Sequence, residues 1–148
     1  MAEIADYAEA SPREVRQMIR DGRWDRPTSG LCVGHVQANL VVLPRDLAYD
    51  FLVFAQRNPG PCPILDVTEP GDTEPRVIAP GADIARDLPR YRVWRDGQCT
   101  DEPTDVTRYW RKDLVGFLLG CSFSLKGRSF RQGSACATSS AAATSPCT

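Results

Sequence analysis

Histidine is almost absent from this chain: a single residue, His35, stands among 148. A lone imidazole does not build a multi-histidine metal centre, and the six cysteines are scattered, without a CxxC pair or a histidine at ligand spacing. Cysteines spread in this way are typical of buried thiols, which behave as small hydrophobic side chains. The residues therefore indicate neither a metal site nor a disulfide scaffold, and no cofactor is expected.

Strong net charge and long apolar runs are also lacking. The formal net charge is −1, which provides no electrostatic attraction to nucleic acid or to an anionic membrane. No apolar run approaches the roughly 20 residues that a membrane-spanning helix requires. Residues 1–15 carry early acidic side chains and no apolar signal segment, which predicts a cytoplasmic location.

The catalytic motifs with strict spacing are absent as well. The chain contains no GxGxxG or P-loop to hold a phosphate, no HExxH and no GxSxG. What is present is ordinary for a globular domain, with 42% hydrophobic and 25% charged residues. Function therefore has to be sought in single polar residues and their local context.

Three segments carry a helical pattern. In "SPREVRQMIRDG", Ser11 can cap the helix, Pro12 suits its first position and Glu14 completes a capping box. Residues 45–58, "RDLAYDFLVFAQRN", place apolar side chains along one helical face. Residues 107–120, "TRYWRKDLVGFLLG", show a similar apolar stripe and end in glycine, which predicts a last helix.

The segments between these helices favour short strands. They are "HVQANLVVLP", "PILDVTEPG" and "EPRVIAPG", the last two closed by Pro-Gly turns. In "RYRVWRDGQC", Asp96 and Gly97 form a favoured two-residue turn, which predicts a β-hairpin. Helices and short strands interleave without a regular βαβ rhythm, so the expected fold class is mixed α+β.

Two amide side chains stand out on the first predicted strand. Gln37 and Asn39 occupy alternate positions and hence share one face, where they could orient a carboxylate or amide ligand. They could equally satisfy neighbouring backbone groups. His35 would share that face and could act as an acid or base, although a lone histidine is more often structural.

Further candidates lie towards the C-terminus. Arg90 and Arg92 are suited to bidentate hydrogen bonding with a carboxylate, or to a solvated strand face. Ser122 and Ser124 follow a glycine where backbone can approach a ligand. Cys121 would need a base to act as a nucleophile, and none is visible, so a buried thiol is the better interpretation.

Four stretches in this order resemble one family, the hydro-lyases related to D-glutamate cyclase. They are "SPREVRQMIRDGRWDRPTSGL", "GHVQANLVVLPRDLAYDFLVFAQRNPGPCPILDVTEPG", "PRVIAPGADIARDLPRYRVWRDG" and "WRKDLVGFLLGCSFS". The resemblance runs almost continuously from Ser11 to Ser124 and implies a carbon–oxygen lyase that removes water from a small carboxylic or amino acid. For the D-glutamate cyclase branch, the implied reaction closes D-glutamate to 5-oxo-D-proline.

This implied reaction suits the polar candidates. Cyclisation needs a neutral substrate amine, a polarised distal carboxyl group and a protonated leaving water. We expect Ser122, Ser124 and Asn39 to take catalytic roles by stabilising the oxyanion. The expected substrate-binding residues are Gln37, Arg90 and Arg92. Many relatives carry a tyrosine in place of His35, which argues against an essential imidazole.

The resemblance divides the chain into an N-terminal extension (residues 1–10), the front half of a larger single domain (11–124) and a tail (125–148). The family's "GCSFSFE" phrase continues into a helix with an acidic residue and is followed further on by "GRNVPMY", and both are missing here. Read one base out of frame with GC-rich codons, the tail yields EGALLPAGLRLRHVERGRNVPMY. The tail is therefore expected to be a disordered, out-of-frame translation following a frameshift.

Three functional interpretations remain open on this basis. The chain is a hydro-lyase, inactivated if its site needs the lost half. Alternatively, it is a non-catalytic module that binds a small carboxylic acid or a partner. Thirdly, it is a pseudogene product without function, which would not fold cooperatively. The oligomeric state is not indicated.

Overall fold

A computed structural model describes residues 7–121 and, for the backbone alone, residues 135–144. These form helices α1 (Pro12–Arg20) and α2 (Arg45–Arg57) and strands β1 (Val36–Pro44), β2 (Ile64–Val67), β3 (Tyr91–Arg95), β4 (Gln98–Asp101), β5 (Leu114–Gly120) and β6 (Ala135–Thr144). The strands build one sheet of order β2-β5-β1-β6-β3-β4, in which β6 is parallel to β1 and β3 and the other pairs are antiparallel. The predicted α+β class is confirmed.

Helix α1 begins as its sequence predicts. The Ser11 hydroxyl accepts the backbone N–H of Glu14, while the Glu14 carboxylate accepts the backbone N–H of Ser11 at 2.8 Å. These reciprocal bonds satisfy two donors that a helix start leaves free. The apolar side of α1 packs in a cluster that includes Trp24, whose ring makes an edge contact with Tyr7. The buried residues of this cluster are Val15, Met18, Ile19, Trp24, Leu31 and Cys32.

Strand β1 has two buried faces because its side chains alternate between them. One face contributes Ala38, Leu40 and Val42 to the main core. The opposite face presents Val41 and Leu43 to α2, which follows directly after Pro44 and packs through Ala48, Phe51 and Leu52. Both β1 and α2 therefore form where the sequence predicts them.

The prediction of a last helix over residues 107–120 is wrong. Thr107–Tyr109 forms a short 3₁₀ helix, and Leu114–Gly120 is strand β5, paired with β2 and β1. A central strand is covered on both faces, so its sequence is a continuous apolar run rather than an alternating one. Gly116 allows β5 to lie close against the core, since a Cβ at this residue would lie 2.4 Å from Cδ1 of buried Ile84.

The segment "EPRVIAPG" is not a strand, contrary to prediction. Residues 76–78 are turns, and the carboxylate of Asp66 accepts the N–H groups of Val77 and Ile78 at 2.9 and 3.0 Å. A side-chain acceptor thus replaces the strand partner that these donors would otherwise need. The expected strand "PILDVTEPG" does form, as β2.

The predicted hairpin is confirmed in β3 and β4. Asp96 and Gly97 have φ of 50° and 75°, the left-handed pair that a type I′ turn requires. Trp94 pairs with Cys99 and Arg95 with Gln98. The turn residues alone were sufficient to place this element.

Residues 71–90 cross the sheet face opposite α2 as turns and bends. Their buried side chains Ile84, Ala85 and Leu88 join the main core with residues of β1, β3 and β5. Within residues 7–121 and 135–144, no helix is long and apolar enough to cross a membrane. Within the tail expected to be disordered, residues 135–144 form strand β6, paired with β1 and β3. The boundaries expected at residues 10 and 124 stay predictions, as does an out-of-frame origin of residues 125–148.

Candidate functional site

The two amides predicted on β1 lie on one face, as expected, but differ in their surroundings. Gln37 is buried, its Oε1 accepts the Thr28 hydroxyl at 3.0 Å, and its Nε2 donates to the Leu31 carbonyl at 3.3 Å. Asn39 is half-buried and lies opposite Leu119 of β5. Gln37 therefore holds the 28–31 turn against the sheet, whereas Asn39 lies closer to the surface.

The sheet brings the end of β5 beside the beginning of β1. The antiparallel register pairs Ala38 with Gly120, so the chain leaving β5 at Cys121 passes next to Gln37. Residues 37–39 and 119–121 are thus neighbours despite their separation in sequence. Ser122 and Ser124 follow immediately but lie outside the described residues, so their catalytic roles stay predictions.

The predicted arginines lie on the same sheet face as the amides but two strands away. Tyr91 and Val93 face the main core, so Arg92 between them faces the opposite side, level with Val41 through β6. Arg92 is exposed and pairs with Glu102, with Nε and Oε1 3.2 Å apart. Arg90 is exposed just before β3. At about 4.8 Å per strand, roughly 10 Å separates these backbones from β1.

His35 and Cys121 flank the same end of β1. The Nδ1 atom of His35 is buried and has no hydrogen-bond partner among the residues the structure describes. Cys121 is half-buried, with a free thiol. Across residues 7–121, no three side chains of histidine, cysteine, aspartate or glutamate converge as metal ligands.

A second polar site, which the sequence interpretation missed, lies along α1. Arg13, Arg16 and Arg20 recur at intervals of three and four residues, which places them on one side of the helix. With Gln17 they face the turn at Pro80 and Gly81 across a cavity of about 300 Å³. This volume lies at the lower end of the range for small-molecule pockets.

Asp87 anchors the inner end of this arginine row. Its side chain is only 1% exposed. Its carboxylate accepts hydrogen bonds from Nε and Nη2 of Arg20, the latter at 2.8 Å, and from the backbone N–H of Asp83 at 2.6 Å. The hydrogen bond to Asp87 raises the pKa of Arg20 above its usual value. Arg16 Nε lies 3.7 Å from Asp87, beyond hydrogen-bond distance.

The charges beside this cavity do not cancel. Gly81 donates its N–H to Glu74 at 2.7 Å, and Asp83 pairs with Arg86. Gln17 donates to Asp21, which pairs with Arg23. Five guanidinium groups therefore stand against four carboxylates, which leaves an excess of one positive charge. The charged residues are Arg13, Arg16, Arg20, Arg23, Arg86, Asp21, Glu74, Asp83 and Asp87. The site is chemically suited to an anion.

The chain is similar over most of its length to proteins named putative hydro-lyase. A protein of that name from Geobacillus kaustophilus is 60% identical over 119 residues, covering 80% of this chain and 45% of the relative. Relatives of the same name from Psychrobacter arcticus and Stutzerimonas stutzeri are 57% and 54% identical, each over 123 residues and 83% of this chain. The chain is a homologue of these proteins.

The similarity does not extend along the whole of each relative. The chain spans somewhat less than half the length of these curated proteins, between 45% and 47%. No protein-family model matches it. The activity that the relatives' name describes therefore enters as a proposal.

Proposed function

We propose that this chain belongs to a hydro-lyase, a carbon–oxygen lyase that releases water from a small carboxylic or amino acid. The observation that carries the proposal is its 60% identity over 119 residues to a protein named putative hydro-lyase. The arginine-lined cavity beside α1 supports it independently, because guanidinium groups are well suited to binding carboxylates.

D-Glutamate is the substrate that we propose, with 5-oxo-D-proline and water as products. The substrate amine attacks the carbon of the distal carboxyl group, forming a C–N bond and a tetrahedral oxyanion. The C–O bond then breaks, and the leaving oxygen departs as water after taking up protons. The reaction requires a neutral amine, a donor to the oxyanion and a proton source for the leaving group.

Residues around the beginning of β1 are proposed to serve the chemical step. Asn39 is half-buried beside the end of β5, where an amide N–H can donate to the oxyanion. Ser122 and Ser124 are proposed as hydroxyl donors on the segment that follows. Arg90 and Arg92, exposed on the same side of the sheet two strands away, are proposed carboxylate partners.

The direct test is turnover by the purified 148-residue chain. Incubation with D-glutamate should yield 5-oxo-D-proline, detected by chiral liquid chromatography with mass spectrometry, above the spontaneous rate in buffer. L-Glutamate controls for stereochemistry, and the Asn39→Ala variant should reduce the rate about 10-fold or more if the amide supports the oxyanion.

The non-catalytic alternative predicts a different result from the same material. A chain that binds D-glutamate but never exceeds the buffer rate would favour a small-acid-binding module and contradict the lyase proposal. A chain that neither binds D-glutamate nor unfolds cooperatively would favour the product without function.

A further inference from the structure

We propose that the cavity between α1 and the Pro80–Gly81 turn is a carboxylate-binding site in which Arg13 and Arg16 hold the ligand. The inference rests on the proposed function in one respect, since it assigns that reaction's substrate-binding groups to α1. It is an alternative to Arg90 and Arg92, proposed above as carboxylate partners, of which Arg92 is already paired with Glu102.

The first support is that the arginines of α1 differ in their partners. Arg20 donates through Nε and Nη2 to the two oxygens of Asp87, one of which also accepts the N–H of Asp83. Arg13 forms no ion pair with any described residue and lies exposed at the mouth of the cavity. Its planar group with five donors is thus available to an incoming carboxylate.

The second support is the position of Arg16 deeper in the same cavity. Its side chain is 10% exposed, and its Nε lies 3.7 Å from Asp87. A ligand carboxylate beside this largely buried guanidinium would make a charge-assisted hydrogen bond away from bulk water. Arg13 and Arg16 lie three residues apart, so one carboxylate can reach both.

The third support is the size and polarity of this partly open cavity. The volume of about 300 Å³ accommodates a five-carbon dicarboxylate or amino acid. Gln17 lines the same wall, and its Nε2 donates to Asp21 at 2.8 Å, which leaves its Oε1 as an acceptor for a donor group of the ligand. Gly81 opposite leaves open space where a Cβ would lie, so the turn does not block entry.

Glutarate is the probe that tests the site separately from catalysis. It has two carboxylates on five carbons and no amine, so it cannot cyclise. Isothermal titration calorimetry of the 148-residue chain at low salt should detect its binding, and Arg13→Gln should weaken it about 10-fold or more, as expected for loss of a charged hydrogen bond. The glutarate affinity of Arg13→Lys should lie between those of the wild type and Arg13→Gln, because lysine keeps the charge but loses the bidentate geometry.

Arg57→Gln provides the matched control. Arg57 is exposed on the last turn of α2 and faces another part of the molecule. The same chemical change there should alter glutarate affinity less than about 2-fold if the effect is local rather than a general loss of charge. Circular dichroism should show unchanged helix content in all three variants, since both arginines are exposed.

Several outcomes would overturn the inference. Equal affinity of wild type and Arg13→Gln for glutarate excludes this site, as does tight binding of inorganic phosphate that glutarate does not displace. Failure of the proposed function is distinguishable: glutarate binding that depends on Arg13, without 5-oxoproline formation, supports the site and contradicts the lyase. Conversely, turnover unaffected by Arg13→Gln supports the lyase and contradicts the site.

Discussion

Tyr91 shows how one polar group ties a turn-rich segment to the sheet. Its side chain is fully buried, its hydroxyl donates to the Ile84 carbonyl at 2.8 Å and accepts the Leu88 N–H at 3.2 Å. Burial raises the pKa of Tyr91 well above 10, because the charged phenolate would lose its hydration. The neutral hydroxyl therefore serves both backbone groups.

Removal of this hydroxyl should destabilise the fold. In Tyr91→Phe, the Ile84 carbonyl and Leu88 N–H stay buried without their partner, which should lower the free energy of unfolding by about 1–3 kcal/mol. Urea denaturation at pH 7 measures the loss. Tyr49→Phe, at an exposed position on α2, is the control and should change the free energy of unfolding very little.

Tyr91 also makes the stability of the fold depend on pH. The pKa of Tyr91 is higher in the folded than in the unfolded state. Its contribution to the free energy of unfolding is therefore complete below pH about 10 and declines as the pH rises above that value. The stability difference between wild type and Tyr91→Phe should therefore narrow from pH 9 to pH 11. A constant difference over that range would contradict the burial of this phenol.

At the scale of elements, the sequence correctly predicts the features that depend on residues close together in the chain. The capping box of α1 and the Asp96-Gly97 turn depend on residues close in sequence, and both were recognised. Strand β5 was mistaken for a helix because a seven-residue apolar run fits either element until its sheet neighbours are known. The arginine cavity was missed for the same reason, since Asp87 lies 67 residues from Arg20.

Gly116 tests the packing that makes β5 a strand. Gly116→Ala would place a Cβ 2.4 Å from Cδ1 of Ile84 in the main core, which should cost about 1–3 kcal/mol of stability. Ile84→Val removes that atom, so the double variant should recover part of the loss, a coupling that a double-mutant cycle measures. Gly60→Ala, with open space at its Cβ, should be nearly neutral.

At the scale of the whole molecule, the sheet depends on a strand near the C-terminus. Strand β6 lies between β1 and β3, so the sheet is continuous only through residues 135–144. Helix α2 also presents Leu47, Tyr49 and Phe54 to solvent, 44%, 71% and 54% exposed. The chain spans less than half of each relative reported above.

Sequencing of the gene around the codon for Ser124 tests the proposed frameshift. A single-base difference that restores a reading frame through GRNVPMY is expected. A confirmed sequence whose neighbouring frames contain no such phrase would contradict it, and residues 125–148 would then be a genuine continuation of the chain.

The ionic contact between α1 and Asp87 has a consequence for local opening of the fold. The apolar cluster of α1 is distinct from the main core, and within the described residues Arg16 and Arg20 join the helix to the segment at Asp87. Elements held mainly by such contacts can open as separate cooperative units. The backbone amides of residues 13–20 should then exchange with deuterium sooner than those of β1 and β5, and an occupied cavity should slow that exchange.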